Sequence, residues 1–243
     1  LPMVHANDSD ERREYLAQLA GWRKESEAGS WHGSGEWRDG RLTADYVVTR
    51  IGELTDHRAT YVADVGQNQM WLARYAGFRH PNTHLSSGGL GTMGYAVPAA
   101  MGAALGGTGR EVWAIVGDGG FQMTSQELMT LVQDEIPVKI ALFDNKKLGM
   151  IRQWQEIIYG GNYHSSTLPG PDWAKLCEAY GVPCFRARTP EEVDTAIRAA
   201  QAVDGPAMVW FETAETQNVF PMMPAGKGLS DLIETWGEGA QEA

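Results

Sequence analysis

Two rhythms of apolar and polar residues alternate along this chain. From Asp10 to Glu27, "DERREYLAQLAGWRKESE" carries Tyr15, Leu16, Leu19, Ala20 and Trp22 at helical spacing on a charged background, which predicts a surface helix. Residues 28–41 mix Gly, Ser and Trp without a period and read as a loop or linker, so residues 1–42 are expected to lead into a compact domain that begins at Thr43. Beyond it, short apolar runs alternate with helical patterns. Helices are expected from Thr43 to Leu54, around Met70 to Tyr75, from Gly94 to Leu105 and from Thr124 to about Gln133. Strands are expected in "ATYVADVG", in "EVWAIVG" ending at Gly117 and in "PVKIALFD". After a segment from Leu148 to Tyr159 come the helix "PDWAKLCEAYG", a short strand at Pro183 to Arg186, a helix from Glu191 to Ala202 and the strand "PAMVWFET". Strands apolar along their whole length, separated by helices, predict an α/β fold: a mostly parallel sheet with helices on both faces. The domain is expected to run over 43–233, with 234–243 a frayed acidic tail.

Composition narrows the ligand. At 243 residues the chain can bury a large core as one domain. With 20 Lys and Arg against 31 acidic residues and a net charge of −11, it lacks the basic patches that nucleic acid requires, which leaves small molecules. Cys177 and Cys184 fall in a helix-like and a strand-like stretch and read as packing residues in a reducing compartment. No basic leader with an apolar run behind it and no membrane-length apolar run occurs, so the expected location is the cytoplasm, with no membrane partner.

Three segments, "DVGQNQMW", "GDGGF" and "DNKKLGM", each follow an apolar strand at its carboxyl end, where ligands bind in such sheets. The glycines of "GDGG" permit a tight bend that exposes backbone N–H groups, and the positive end of the following helix favours the same anion. Asp118 and Asn145 supply a carboxylate and an amide oxygen from neighbouring strand ends, ligand types that Mg²⁺ accepts while it also holds phosphates. Taken singly, Asp118 reads better as a helix cap and Asn145 as a strand terminator; together they point to a diphosphate bridged by Mg²⁺.

The stretch from Gly117 to Asn145 resembles the cofactor signature of thiamine-diphosphate enzymes, which opens Gly-Asp-Gly and closes on Asn. With "SSGGLGTMGYAVPAAMGAALG", "IPVKIALFDNKKLGMIRQWQE" and "PMMPAG", the chain from Thr43 to Ile233 resembles the carboxyl-terminal, diphosphate-binding domain of the acetolactate (acetohydroxyacid) synthase large subunit. That resemblance implies Mg²⁺ bound by the side chains of Asp118 and Asn145 and the backbone carbonyl of Lys147. It implies a diphosphate held by Gly66, Gln67, Asn68, Gly119 and Gly120, with Val65 and Gly117 in the same cofactor site. Gly91, Met93, Gly149 and Met150 would line the rings of the cofactor. Met93 suits the wedge beneath a bent cofactor, being bulky, apolar and adaptable, although the residue pattern alone favours a core methionine. Met150, Trp154 and Ala225 would border the substrate and inhibitor mouth; on sequence alone Trp154 could equally pack a helix. The implied reaction decarboxylates pyruvate and joins the two-carbon unit to a second 2-keto acid, in branched-chain amino acid biosynthesis.

The resemblance also implies what this chain lacks. The activating glutamate belongs to a pyrimidine-binding domain, usually of a second subunit, and FAD to a middle domain, and nothing here resembles either. Expected partners are therefore those two domains in a homo- or hetero-oligomer, with a possible regulatory subunit, and no catalytic residue is assigned. Other thiamine-diphosphate chemistry (an oxidase, a decarboxylase, another carboligase) and a cofactor-binding module that turns nothing over alone remain alternatives. Against the family pattern, Asn68 stands for His, Asp144 for a second Asn and Gly120 for Ser or a similar residue. "GLGTMG" from Gly89 to Gly94 satisfies a dinucleotide fingerprint, but "HPNTHLSSG" before it is not the apolar strand that fingerprint needs. His80 and His84 have the spacing of a helical zinc pair, but Pro81 between them argues against a helix.

Overall fold

The computed structural model describes residues 9–28, 35, 37–107, 109–224 and 226–233. The chain divides into two units, Leu1–Gly33 and Ser34–Ala243. The first contains helix α1 (Asp10–Ala28), where Tyr15, Leu16, Leu19 and Trp22 are all exposed. The second begins with a hairpin of β1 (Trp37–Arg38) and β2 (Arg41–Leu42). It then runs α2 (Ala44–Leu54), β3 (Thr60–Ala63), α3 (Gln67–Tyr75), β4 (His84–Ser86), α4 (Ala96–Leu105), β5 (Val112–Gly117), α5 (Asp118–Thr124), α6 (Glu127–Gln133) and β6 (Val138–Asp144). It continues through α7 (Gly149–Ile157), α8 (Trp173–Tyr180), β7 (Cys184–Ala187), α9 (Pro190–Gln201) and β8 (Ala207–Glu212).

The main sheet has the order β4-β3-β5-β6-β8-β7, and every pairing in it is parallel. Successive residues of a strand point to opposite faces, so a strand covered on both sides must be apolar throughout. In β6, Ala141 and Phe143 join one core with residues of α2, α3 and α9, while Ile140 and Leu142 join the other with residues of α4, α6 and α8. β8 divides likewise, Val209 and Phe211 against Met208 and Trp210. From β3 the chain moves outward to β4 and then crosses back to place β5 on the other side of β3. The helices that leave β3 and β5 thus diverge to opposite faces, opening a crevice at the carboxyl ends of those strands.

Several boundaries differ from the pattern in the sequence. Part of the expected linker is the β1–β2 hairpin, whose turn is Asp39-Gly40 with φ of 53° and 72°. Asp-Gly is the pair that tolerates two left-handed residues in a two-residue hairpin, a signal that the surrounding Gly, Ser and Trp obscured. Residues 29–34 and 36 of that linker, and the expected acidic tail at 234–243, lie outside the described residues. "HLS" within the rejected "HPNTHLSSG" does form a strand, β4. It lies at the sheet edge and pairs only with β3, a position that tolerates polar residues and a preceding Pro81. The helix expected from Thr124 is two helices, and the first begins six residues earlier, at Asp118 itself. Among the described residues no helix is long and apolar enough to cross a membrane.

Phe211 is fully buried and packs 5.8 Å, centroid to centroid, from Phe143. Phe211→Ala should cost about 3–5 kcal/mol in urea unfolding. Leu90→Ala, at a side chain 93% exposed, should change stability by less than about 0.5 kcal/mol.

Candidate cofactor site at the reversal of strand order

Four connections converge on the crevice. Val65 and Gly66 lead from β3 into α3, Gly117 leads from β5 directly into α5, residues 145–148 lead from β6 into α7, and the loop bearing Gly91 and Met93 precedes α4. They enclose a cleft of about 330 Å³. Every residue assigned to the cofactor from the sequence (Val65, Gly66, Gln67, Asn68, Gly91, Met93, Gly117, Asp118, Gly119, Gly120, Asn145, Lys147, Gly149 and Met150) stands in its walls. Neither α3 nor α5 has a side-chain cap; their N-cap positions are Gly66 and Gly117. With glycine at both N-caps, neither helix start is covered by an N-cap side chain at the cleft, an arrangement suited to an anion. Gly66 has φ of 133°, a conformation that side-chain-bearing residues rarely adopt.

The acidic half of the cleft is unusual in its electrostatics. Asp118 is 2% exposed; its Oδ1 accepts the Gly119 N–H at 2.8 Å, and its Oδ2 is buried with no partner. Burial, with the Asp144 carboxylate close by, pushes the Asp118 carboxyl up to about 7. A buried acceptor of this kind is costly unless something positive meets it. Asn145 stands opposite, its Oδ1 accepting the Lys147 N–H at 3.0 Å, and the turn is closed by Lys146 in a left-handed conformation at φ 58°. The Lys147 ammonium is engaged elsewhere, with Glu215 at 3.3 Å and Thr167 at 3.4 Å. A carboxylate, an amide oxygen and a backbone carbonyl are hard oxygen donors of the kind Mg²⁺ takes, so the residues present fit a divalent ion bridging to phosphate.

What holds these turns was not evident from the sequence. Asp64, at the end of β3, is 1% exposed and accepts N–H bonds from Val65 at 2.7 Å and from Gly94 at 2.8 Å. It thereby ties the turn after β3 to the Met93 loop, and burial raises its pKa despite those donors. A Cβ on Gly120 would overlap the Asp64 carboxylate, which gives a physical reason for glycine where the resembled family has Ser. Beneath the cleft runs a buried amide network. Gln67 donates to Gln153 Oε1 at 2.9 Å and to the Gln217 carbonyl at 3.1 Å, and Gln217 donates to Asp45 at 2.7 Å. Gln153 also exchanges two hydrogen bonds with the Val219 backbone, so α2, α3, α7 and the segment after β8 are locked to one another. The only sequence signal was polar residues at positions that the helical period makes internal.

Other expected residues stand apart. Trp154 is half-buried on α7, one turn beyond Met150, and is not in the cleft wall. Ala225 lies outside the described residues. Asn68 donates its amide to the Ile115 carbonyl at 3.0 Å, so part of its donor capacity serves β5. His84 packs 5.2 Å from the Phe78 ring, and among the described residues no cluster of His, Cys, Asp and Glu suits a metal.

Comparison with known proteins agrees with this geometry. Residues 64–211 match the family described as "Thiamine pyrophosphate enzyme, C-terminal TPP binding domain". The chain is 46% identical over 204 residues to an acetolactate synthase of Mycobacterium avium, covering 82% of this chain and 33% of that protein. It is 35% identical over 226 residues to the mitochondrial acetolactate synthase catalytic subunit of Saccharomyces cerevisiae, covering 92% of this chain and 32% of that protein. The chain thus spans about a third of the length of these relatives. In structure it resembles a thiamine diphosphate-dependent 4-hydroxybenzoylformate decarboxylase of Rhodococcus jostii, with a TM-score of 0.69 and 26% identity over 74% of this chain and 34% of the other. The reversal of strand order, the glycine turns and the match across both together identify this chain as a member of the thiamine pyrophosphate enzyme family, comprising its carboxyl-terminal TPP-binding domain.

Proposed function

We propose that this chain is the thiamine-diphosphate- and Mg²⁺-binding part of an acetolactate synthase, acting on pyruvate and a second 2-keto acid. The observation that carries the reading is the buried, unpartnered Asp118 oxygen beside two helix starts whose N-cap residues are glycines. A lone anion would be repelled by Asp118, and a lone cation would leave the N–H groups unused. A metal-bridged diphosphate answers both. The acetolactate reading rests on relatives of that name at 46% and 35% identity.

Bound here, the cofactor supplies the electron sink for decarboxylating a 2-keto acid. The residues of this chain bind and orient. Asp118, Asn145 and the Lys147 carbonyl hold Mg²⁺; the N–H groups at the starts of α3 and α5 hold phosphate oxygens, with Gln67, Asn68, Gly119 and Gly120 around them. Gly91, Met93, Gly149 and Met150 shape the ring site, with the Met93 methyl group near Gly119. Trp154 belongs to the substrate side, where an apolar wall favours the larger keto acid by about 1 kcal/mol per methylene. Protonation of the cofactor ring falls to a carboxylate of a pyrimidine-binding partner domain, and FAD to a further domain of the same oligomer. Turnover by this chain alone, without such a partner, would contradict that division. Release of an aldehyde in place of an acetohydroxy acid by the assembled enzyme would favour a decarboxylase instead.

Removing the Asp118 carboxylate should weaken Mg²⁺-dependent thiamine diphosphate binding by about tenfold or more, since a charged ligand is lost from a site with few protein donors. Calorimetry on Asp118→Ala, with circular dichroism to verify the fold, provides the measurement; unchanged affinity would refute the assignment.

The raised Asp118 pKa sets a second expectation for the metal-free chain. The folded form retains a proton that the unfolded chain releases near pH 4. Stability is therefore fully present below about pH 4 and declines as pH rises to about 7. Asp118→Asn should flatten that decline in urea unfolding between pH 5 and 8, and an equal slope in both proteins would contradict it.

A further inference from the structure

Asp144 does not line the cleft, yet it stands directly behind the residue that does. Phe143 is in register with Gly117 on the adjacent parallel strand, which brings Asp144 and Asp118 together at the next position. Asp144 is 1% exposed, and its Oδ2 accepts from Lys146 Nζ at 2.6 Å, Trp210 Nε1 at 3.0 Å and Trp173 Nε1 at 3.1 Å. Its Oδ1 is buried without a partner, as is Asp118 Oδ2. Once both carboxylates are ionised they have only acceptors to offer each other, so with no proton between them these two orphaned oxygens are compensated only by a positive charge. Lys146 supplies part of that charge from the far side of Asp144. Its side chain is 32% exposed against 0% for Asp144, so water screens the lysine more than the carboxylate.

Taking Asp118 as the carboxylate ligand of the ion, we propose that the buried Asp144–Lys146 pair sets how tightly this chain binds its divalent cation: Asp144 raises the affinity through Asp118, and Lys146 holds it down. Asp144 touches neither ion nor cofactor; it is a positioning charge in the low-dielectric ground behind the site. A purely structural role, pinning Trp173 and Trp210, would leave the cation affinity indifferent to the sign of the charge removed.

The test titrates Mn²⁺ alone, an ion that takes the same oxygen ligands, into the full chain and follows free Mn²⁺ by electron paramagnetic resonance. Asp144→Asn should weaken binding by about tenfold, Lys146→Met should tighten it about threefold, and the double variant should fall between them. Trp173→Phe removes one donor to Asp144 without changing charge and should alter affinity by less than about twofold. Opposite signs for the two charge variants support the proposal. Equal affinity in Asp144→Asn and the unaltered chain, or weaker binding in Lys146→Met, overturns it while leaving the Asp118 assignment standing. Mn²⁺ binding that survives Asp118→Ala, or no binding by the unaltered chain, overturns the assignment and the proposal with it.

Discussion

Three neighbouring parallel strands each run into a buried aspartate: Asp64 after β3, Asp118 after β5 and Asp144 closing β6. Burying three carboxylates at one end of a sheet is unfavourable unless each meets a partner, and the architecture around the cleft follows from how that demand is met. Asp64 is satisfied by backbone N–H groups of two different loops, and so fixes one loop against the other. Asp144 takes two indoles and an ammonium. Each keeps one buried oxygen without a partner, but of the three only Asp118 lines the cleft. The fold gives Asp64 and Asp144 two or more donors each and leaves Asp118, with fewer, open to a ligand in the cleft.

That constraint explains why small residues and amides crowd the same region. A side chain on Gly120 would overlap Asp64, and one on Gly149 would overlap the Gln67 amide. Glycine at these points lets the turns close over the carboxylates while keeping backbone N–H groups turned toward the cleft. The amides of Gln67, Gln153 and Gln217 then bind α3, α7 and the segment after β8 into one support, so the two sides of the crevice are held at a fixed separation. A cofactor that spans diphosphate and ring subsites depends on such spacing.

Much of this was legible in the residues. Runs such as "VWAIV" and "KIALF" sit between helical patterns and announce a parallel sheet, and a parallel sheet binds at its carboxyl ends. The glycines around Asp118 and the following Asn145 then picked out the crevice. What stayed hidden depended on tertiary context. β4 has the composition of a loop and becomes a strand because β3 offers it an edge. The helix after β5 starts at Asp118, although two glycines make that a poor helical opening, because packing on the sheet outweighs local propensity. Asp64, Gln67, Gln153 and Gln217 lie far apart in sequence, and only folding brings them together. Trp154 shares a helix with Met150, but helical spacing alone does not put it in the cleft wall.

The central claim is that one metal-bridged diphosphate occupies the crevice between β3 and β5. A crystal grown with thiamine diphosphate and Mn²⁺, measured for anomalous scattering, tests it most directly. The account predicts a single strong manganese peak about 2.2 Å from the Asp118 and Asn145 side-chain oxygens and the Lys147 carbonyl, with phosphate density against the starts of α3 and α5. A peak elsewhere, or cofactor density remote from these turns, would contradict it.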